Sequence, residues 1–238
     1  MTQYEGYMPY AYGADSVESV NAIFRKVYQY MALGLIITAL TVYITASSTT
    51  ALRMLFSSQA PVIIIALAEV ALVIYLSAAI HKLSASAALS LFLVYSVLNG
   101  ITFSVILLIY TRGSVYQAFI STAAMFGVMS VYGLYTKRDL TSMGSFLRMG
   151  VIGLLVAMII NIFVGSSMVE LTVSILGIII FMGLTAYDTA KIKSAAEYSD
   201  MNDSGTLQKI AVIGALQLYL DFINIFLYLL RLFGKRRD

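Results

Sequence analysis

Seven runs of apolar residues punctuate this 238-residue chain, near Val27–Ala46, Pro61–Ile80, Ala87–Tyr110, Val115–Tyr135, Met149–Val164, Glu170–Ala190 and Ile210–Phe233. A helix of about 20 residues crosses a hydrocarbon core about 30 Å thick, and each run approaches that length. The fifth is the shortest, with room to begin earlier, around Ser145. Together the runs take up roughly 140 positions at that length, so no soluble domain fits in the remainder. Backbone groups in lipid must be satisfied internally, and the runs are continuous rather than alternating. The pattern predicts an all-α fold, an integral membrane bundle of seven transmembrane helices, not a barrel. Charge agrees: 11% of the residues are charged, where a soluble domain carries about 25%.

Several function classes fall away at once. With no Cys there is no thiolate nucleophile and no Cys-ligated metal, and with His81 as the one His, zinc clusters and His-based triads are excluded. No cofactor is expected from this inventory. The net charge of +3 does not point to nucleic acid, because the basic residues sit between apolar runs, as membrane topology demands. Residues 1–23 are Tyr-rich and acidic and read as a flexible tail that turns helical near Ser16, neither signal peptide nor lipid anchor. Residues 24–234 form the transmembrane domain and 235–238 a basic end. Lys191–Lys209, with Glu197, Asp200, Asp203 and Gly205, reads as a solvated loop.

Basic residues also orient the chain. With the N-terminus inside, the inner segments hold nine (Arg25, Lys26, Lys82, Lys137, Arg138, Arg148, Lys191, Lys193 and Lys209), while the outer loops hold Arg53 and Arg112. Seven spans then leave Arg231, Lys235, Arg236 and Arg237 outside, against the positive-inside tendency. A last segment that re-enters without crossing would bring those four back.

An ionisable residue in a spanning helix costs a few kcal/mol on insertion scales and is a functional candidate for that reason. Glu69, Asp188 and Asp221 qualify, whereas Glu170 at a helix start complements the helix dipole. In GALQLYLDFINIFLYLLRLFG the polar side chains are Gln217, Asp221, Asn224, Tyr228 and Arg231, and their spacing puts them on one narrow stripe. Such a seam is either glue between helices or the wall of a polar pathway. Glue suits Gln217 and Asn224; it suits an acid poorly. Asp188, in GLTAYDTAKIK, has Thr185 and Lys191 on its own face. It is either a boundary carboxylate paired with Lys191 or Lys193, or one half of a pair with Asp221 on the next helix. Two carboxylates in one site share a proton and titrate as a unit, which makes a proton switch. They also make a hard-oxygen site for Ca²⁺. Glu69 invites Arg231 as its partner in the outer half, the alternative being a protonated Glu69 bonded to a backbone carbonyl. Lys82, at the inner end of the second run, is a further cation within reach of Asp188. Asn99, Thr102 and Asn161 are assigned to bonds between helices.

Five stretches, FRKVYQYMALGLIITAL, NGITFSVI, FGVMSVYGLYTKRDLTSMGSFLRMG, GLTAYDTAKIK and ALQLYLDFINIFLYLLRLFG, appear in that order. On these the chain resembles the bacterial branch of the Bax inhibitor-1 family from about Phe24 to Gly234. The resemblance implies seven helices with the last at the centre and a proton-regulated leak pathway for Ca²⁺. It also implies that the di-aspartate site falls on Asp188 and Asp221. Two other classes compete. An intramembrane aspartyl protease has Gly before its second Asp and a Pro-Ala-Leu motif on a later helix. Here Leu220 precedes Asp221, no helix follows, and the prolines are Pro9 and Pro61; a non-enzyme is expected. An interaction protein in membrane-protein quality control, its tail gripped by an ATP-dependent membrane protease, is the other alternative. Apart from these, the lipid bilayer of the inner membrane and Ca²⁺ are the expected partners.

Orientation is testable directly, since no native Cys interferes. Cys at Ser57 should react with an impermeant thiol reagent from outside and Cys at Asp203 should not; the reverse labelling would overturn the N-in assignment.

Overall fold

The computed structural model describes residues 14–79, 82–199 and 204–237. Among them the chain forms α1 (Ala14–Ser47), α2 (Thr49–Phe56), α3 (Ala60–Ala79), α4 (Ala85–Phe103), α5 (Ile106–Ile109), α6 (Arg112–Tyr135), α7 (Thr141–Val164), α8 (Ser167–Glu197) and α9 (Ser204–Phe233). Six spans, Val20–Ser47, Ala85–Ile109, Arg112–Tyr135, Thr141–Val164, Ser167–Glu197 and Gly205–Phe233, are long and apolar enough to cross a membrane. The bent pair α2–α3 turns by 84°, and the 20-residue α3 completes a seven-span bundle.

The expected boundaries move in physically legible ways. α1 begins at Ala14, close to the turn to helix expected near Ser16, and Val20, Ile23 and Phe24 already pack into the core. The expected loop Lys191–Lys209 is largely helix: α8 runs on to Glu197, held in its last turns by a Lys193–Glu197 pair at 3.9 Å. The third span is α4 prolonged by α5 after a break at Ser104 and Val105, where the Ser104 hydroxyl donates to the Ile101 carbonyl at 2.7 Å. Serine and threonine start several helices, Ser48, Ser84, Thr111 and Ser166 each accepting from a backbone N–H in the first turn. α7 stops at Gly165, whose φ of 65° is left-handed.

α9 occupies the centre and packs on α1, α4, α6 and α8. Its sequence explains why: Ala211, Val212, Ala215, Leu218, Tyr219, Ile225 and Leu230 are all essentially closed to solvent, so most of the helix surface meets other helices. Around it the outer helices turn large apolar side chains to lipid; on α7 Ile162 and Phe163 are 78% and 85% exposed. The strands of contact at the two ends identify the helix directions. The near end carries the α6–α7 loop beside the last turns of α8. The far end carries residues 110 and 111 beside the C-terminus, where Tyr110 and Arg236 form an antiparallel bridge and the Thr111 N–H donates to the Lys235 carbonyl at 3.0 Å. α9 therefore crosses fully, and the re-entrant alternative is ruled out.

Close approach in lipid depends on small residues. A Cβ on Gly133 of α6 would land on the Ala186 carbonyl of α8, whereas Gly153 on α7 faces open space. Gly133→Ala should destabilise the bundle by about 1–3 kcal/mol, as overpacking does, and Gly153→Ala should be neutral or better; thermal unfolding in detergent compares them.

Candidate functional site

Asp221 sits midway along α9 at 4% exposure, and its Oδ2 is the one buried side-chain oxygen without a hydrogen-bond partner among the described residues. An orphan oxygen of this kind costs about 1–3 kcal/mol in a typical interior. What faces it is α8: the Thr185 side chain meets the carboxyl, and Asp188, one turn further along, is close enough for the two charges to act on each other. α8 and α9 thus bring together the two acids that chain order alone left on separate helices. Asp188 is half-buried, and the cations whose fields reach it are Lys191 on its own helix and Arg148 on α7.

Arg148 is held in place. Its guanidinium donates to the Gly144 carbonyl at 3.2 Å and to the Tyr187 hydroxyl at 3.4 Å, and it lies 5.4 Å from the Tyr187 ring centroid. Gly144 lets Tyr187 lie flat on α7, since any side chain there would collide with the ring. From this point a polar vestibule of about 530 Å³ opens toward the near end, lined by Tyr187, Lys191, Ser194, Lys137, Asp139 and Thr141 among others. The Thr141 hydroxyl and N–H both bond the Asp139 carboxylate and hold it below the usual carboxylate range.

Behind the acids runs a chain of hydroxyls. The Thr189 hydroxyl donates to the Thr185 carbonyl at 2.7 Å, so it accepts from Ser130 at 3.1 Å, and Ser130 in turn accepts from Tyr28 at 2.5 Å. One proton per hydroxyl fixes this direction. α1, α6 and α8 are joined through it within one turn of Asp188. The Thr185 hydroxyl likewise donates to the Phe181 carbonyl at 2.8 Å and also bonds the Asp221 carboxyl.

Other candidates are placed differently from the sequence expectation. Glu69 and Arg231 do not pair. Glu69 accepts from the Thr102 hydroxyl at 2.7 Å across α3 and α4, while Arg231 lies 5.8 Å from the Tyr228 ring centroid and 3.7 Å from Met158 Sδ. The reason is position: α3 packs at the periphery against α4, and Arg231 leaves α9 toward α7 and α8. Lys82 is an exposed residue of the turn after α3 and is not among the cations that reach Asp188; His81 lies outside the described residues. The α9 seam is not continuous in its chemistry. Gln217 is half-buried, Asn224 bonds its own helix at the Leu220 carbonyl, and the buried Tyr228 packs on Gly177 with its hydroxyl toward Met158. Thr102 does bond between helices, but Asn99 bonds the Tyr95 carbonyl of its own helix and Asn161 closes the α7–α8 turn by accepting from the Ser166 N–H. Arg148, Ser130 and Tyr28 went unread; the signal for Arg148 was its place at the mouth of an apolar run, one turn inside.

A seven-span helical bundle of this kind defines a multi-pass membrane protein, here with two acids brought together between its last two helices. The family model described as inhibitor of apoptosis-promoting Bax1 matches residues 20–238, and the chain belongs to the Bax inhibitor-1 family. It is 46% identical over 212 residues to the inner membrane protein YbhL of Escherichia coli K12, covering 89% of this chain and 91% of that one. An uncharacterized protein of Borreliella burgdorferi is 44% identical over 218 residues, 92% and 94% of the two chains. An uncharacterized membrane protein of Streptococcus pyogenes serotype M1 is 38% identical over 220 residues, 91% and 93%. None of these descriptions names an enzyme.

The observed partners of Glu69 and Arg231 set up a double-mutant comparison. Stability losses from Glu69→Gln and Arg231→Gln should add to within about 0.5 kcal/mol, whereas Glu69→Gln and Thr102→Val should couple beyond that. Thermal unfolding of single and double variants decides it.

Proposed function

We propose that this chain is a proton-regulated leak for Ca²⁺ across the inner membrane, its N-terminus cytoplasmic, with Asp188 and Asp221 as the gate. The observation that carries the reading is the buried Asp221 oxygen with no partner, facing a second carboxylate. An acid placed so is expensive and does nothing for packing. With one proton shared, the two carboxyls hydrogen-bond and α8 lies tight on α9. The Thr185 hydroxyl, which also bonds the Phe181 carbonyl, holds the Asp221 carboxyl against α8 in that state. Loss of the proton leaves two negative charges side by side in a site with little water, and the helices part. Lys191 and Arg148 then hold Asp188 toward the vestibule, and the path past Asp221 opens to a cation.

The donor set fits a passing ion better than a resident one. Ca²⁺ takes six to eight oxygens, and two carboxylates supply about four. Among the described residues no group of three or more His, Cys, Asp or Glu side chains gathers anywhere. A site this sparse binds weakly and releases readily, as conduction requires. For a protease the same pair lacks the Gly before Asp221 and the Pro-bearing helix, so the geometry supports the leak.

A one-proton switch changes its population about tenfold per pH unit away from its midpoint. Wild-type flux into proteoliposomes should therefore rise steeply with pH, and Asp188→Asn or Asp221→Asn should flatten the profile to within about twofold while helical content holds. Either variant keeping the wild-type profile would overturn the gate.

A further inference from the structure

α1 and α6 both pack on α9, yet in the far half of the bundle they stand apart and leave a lateral groove of about 470 Å³ with α9 as its floor. Leu35 and Val42 form one wall, Val115 and Phe119 the other, and Phe222 and Phe226 the floor. Thr38, on the α1 wall, is already satisfied by the Gly34 and Ser96 carbonyls and the Tyr219 hydroxyl. Nothing inside the groove calls for a polar occupant.

Its rim is the opposite. Arg112, the first residue of α6, lines the mouth and is exposed. Arg237 reaches the same rim, its guanidinium donating to the carbonyl of groove residue Leu107 at 3.1 Å. That reach is built in, since the Arg237 N–H is fastened to the Ile109 carbonyl at 2.8 Å. Among the described residues neither guanidinium has a carboxylate at ion-pair distance, the ion pair there being Lys193–Glu197. Two unneutralised arginines above an apolar channel match an anion joined to a hydrocarbon chain.

We propose that the groove binds one anionic phospholipid of the far leaflet, its phosphate between Arg112 and Arg237 and one acyl chain lying along α9. The site is separate from the acid pair and does not rest on the leak reading. It also gives the C-terminal basic residues a counter-charge on a membrane face where they are otherwise unfavourable.

The test is thermal stabilisation of the purified full-length chain in detergent during titration with phosphatidylglycerol. Phosphatidylcholine with the same acyl chains and glycerol 3-phosphate serve as comparisons. Phosphatidylglycerol alone should stabilise. At about fivefold per arginine near a phosphate surface, Arg112→Gln and Arg237→Gln should each weaken its apparent affinity about fivefold, and Arg138→Gln at the near end should not. Ala39→Trp, which fills the exposed wall of the groove, should abolish the effect without lowering the lipid-free melting temperature. Arg112 makes no bond that folding needs, so its variant decides the matter should Arg237→Gln loosen the C-terminus. Equal stabilisation by phosphatidylcholine, full stabilisation by glycerol 3-phosphate, or unchanged affinity in Arg112→Gln would overturn the proposal.

Discussion

The rest of this bundle is arranged around α9, the most deeply buried of its spanning helices. In a membrane the tails solvate leucine as well as another helix does, so hydrophobicity alone would not draw α9 inward. Its small residues and its polar atoms do. Ala211, Gly214 and Ala215 admit α1 and α8 closely at the near end. Asp221 and Tyr219 then find at the centre what lipid cannot offer, Thr185 on one side and Thr38 on the other.

From that placement the two sides of α9 acquire different tasks. Toward α8 lies the acid pair, fed by a polar vestibule and backed by hydroxyls that tie α1 and α6 to the same spot. Toward α1 and α6 lies a dry surface of Phe222 and Phe226, with Phe119 and Phe126 set edge-on to Phe222. Asp221 and Phe222 are neighbours in sequence, so a shift of α9 that separates the carboxyls also moves the floor of the groove.

The number of spans was legible because membrane thickness sets helix length. GALQLYLDFINIFLYLLRLFG, apolar on every face but one, read as a helix packed against others, its central place being implied by the family resemblance. The two aspartates were legible from their cost. What was hidden follows from the same logic. Helix ends in water carry no thickness signal, so the extension of α8 to Glu197 went unseen. Partners across helices depend on rotation about each axis, which apolar periodicity barely constrains when a helix is apolar nearly all round. Hence Glu69 met Thr102 rather than Arg231, and Arg148 on α7 rather than Lys82 stands by Asp188.

The position of α9 in the chain carries a consequence for assembly. Translation delivers the core last. Until residues 204–233 enter the membrane, the preceding helices surround an absent centre, with Thr38, Ser96 and Thr185 lacking their final partners and the loop at Tyr110 lacking the C-terminal segment that clasps it. Pairs such as α1–α4 and α7–α8 pack on each other directly and can associate early, whereas the full bundle closes around its axis only once α9 is in place.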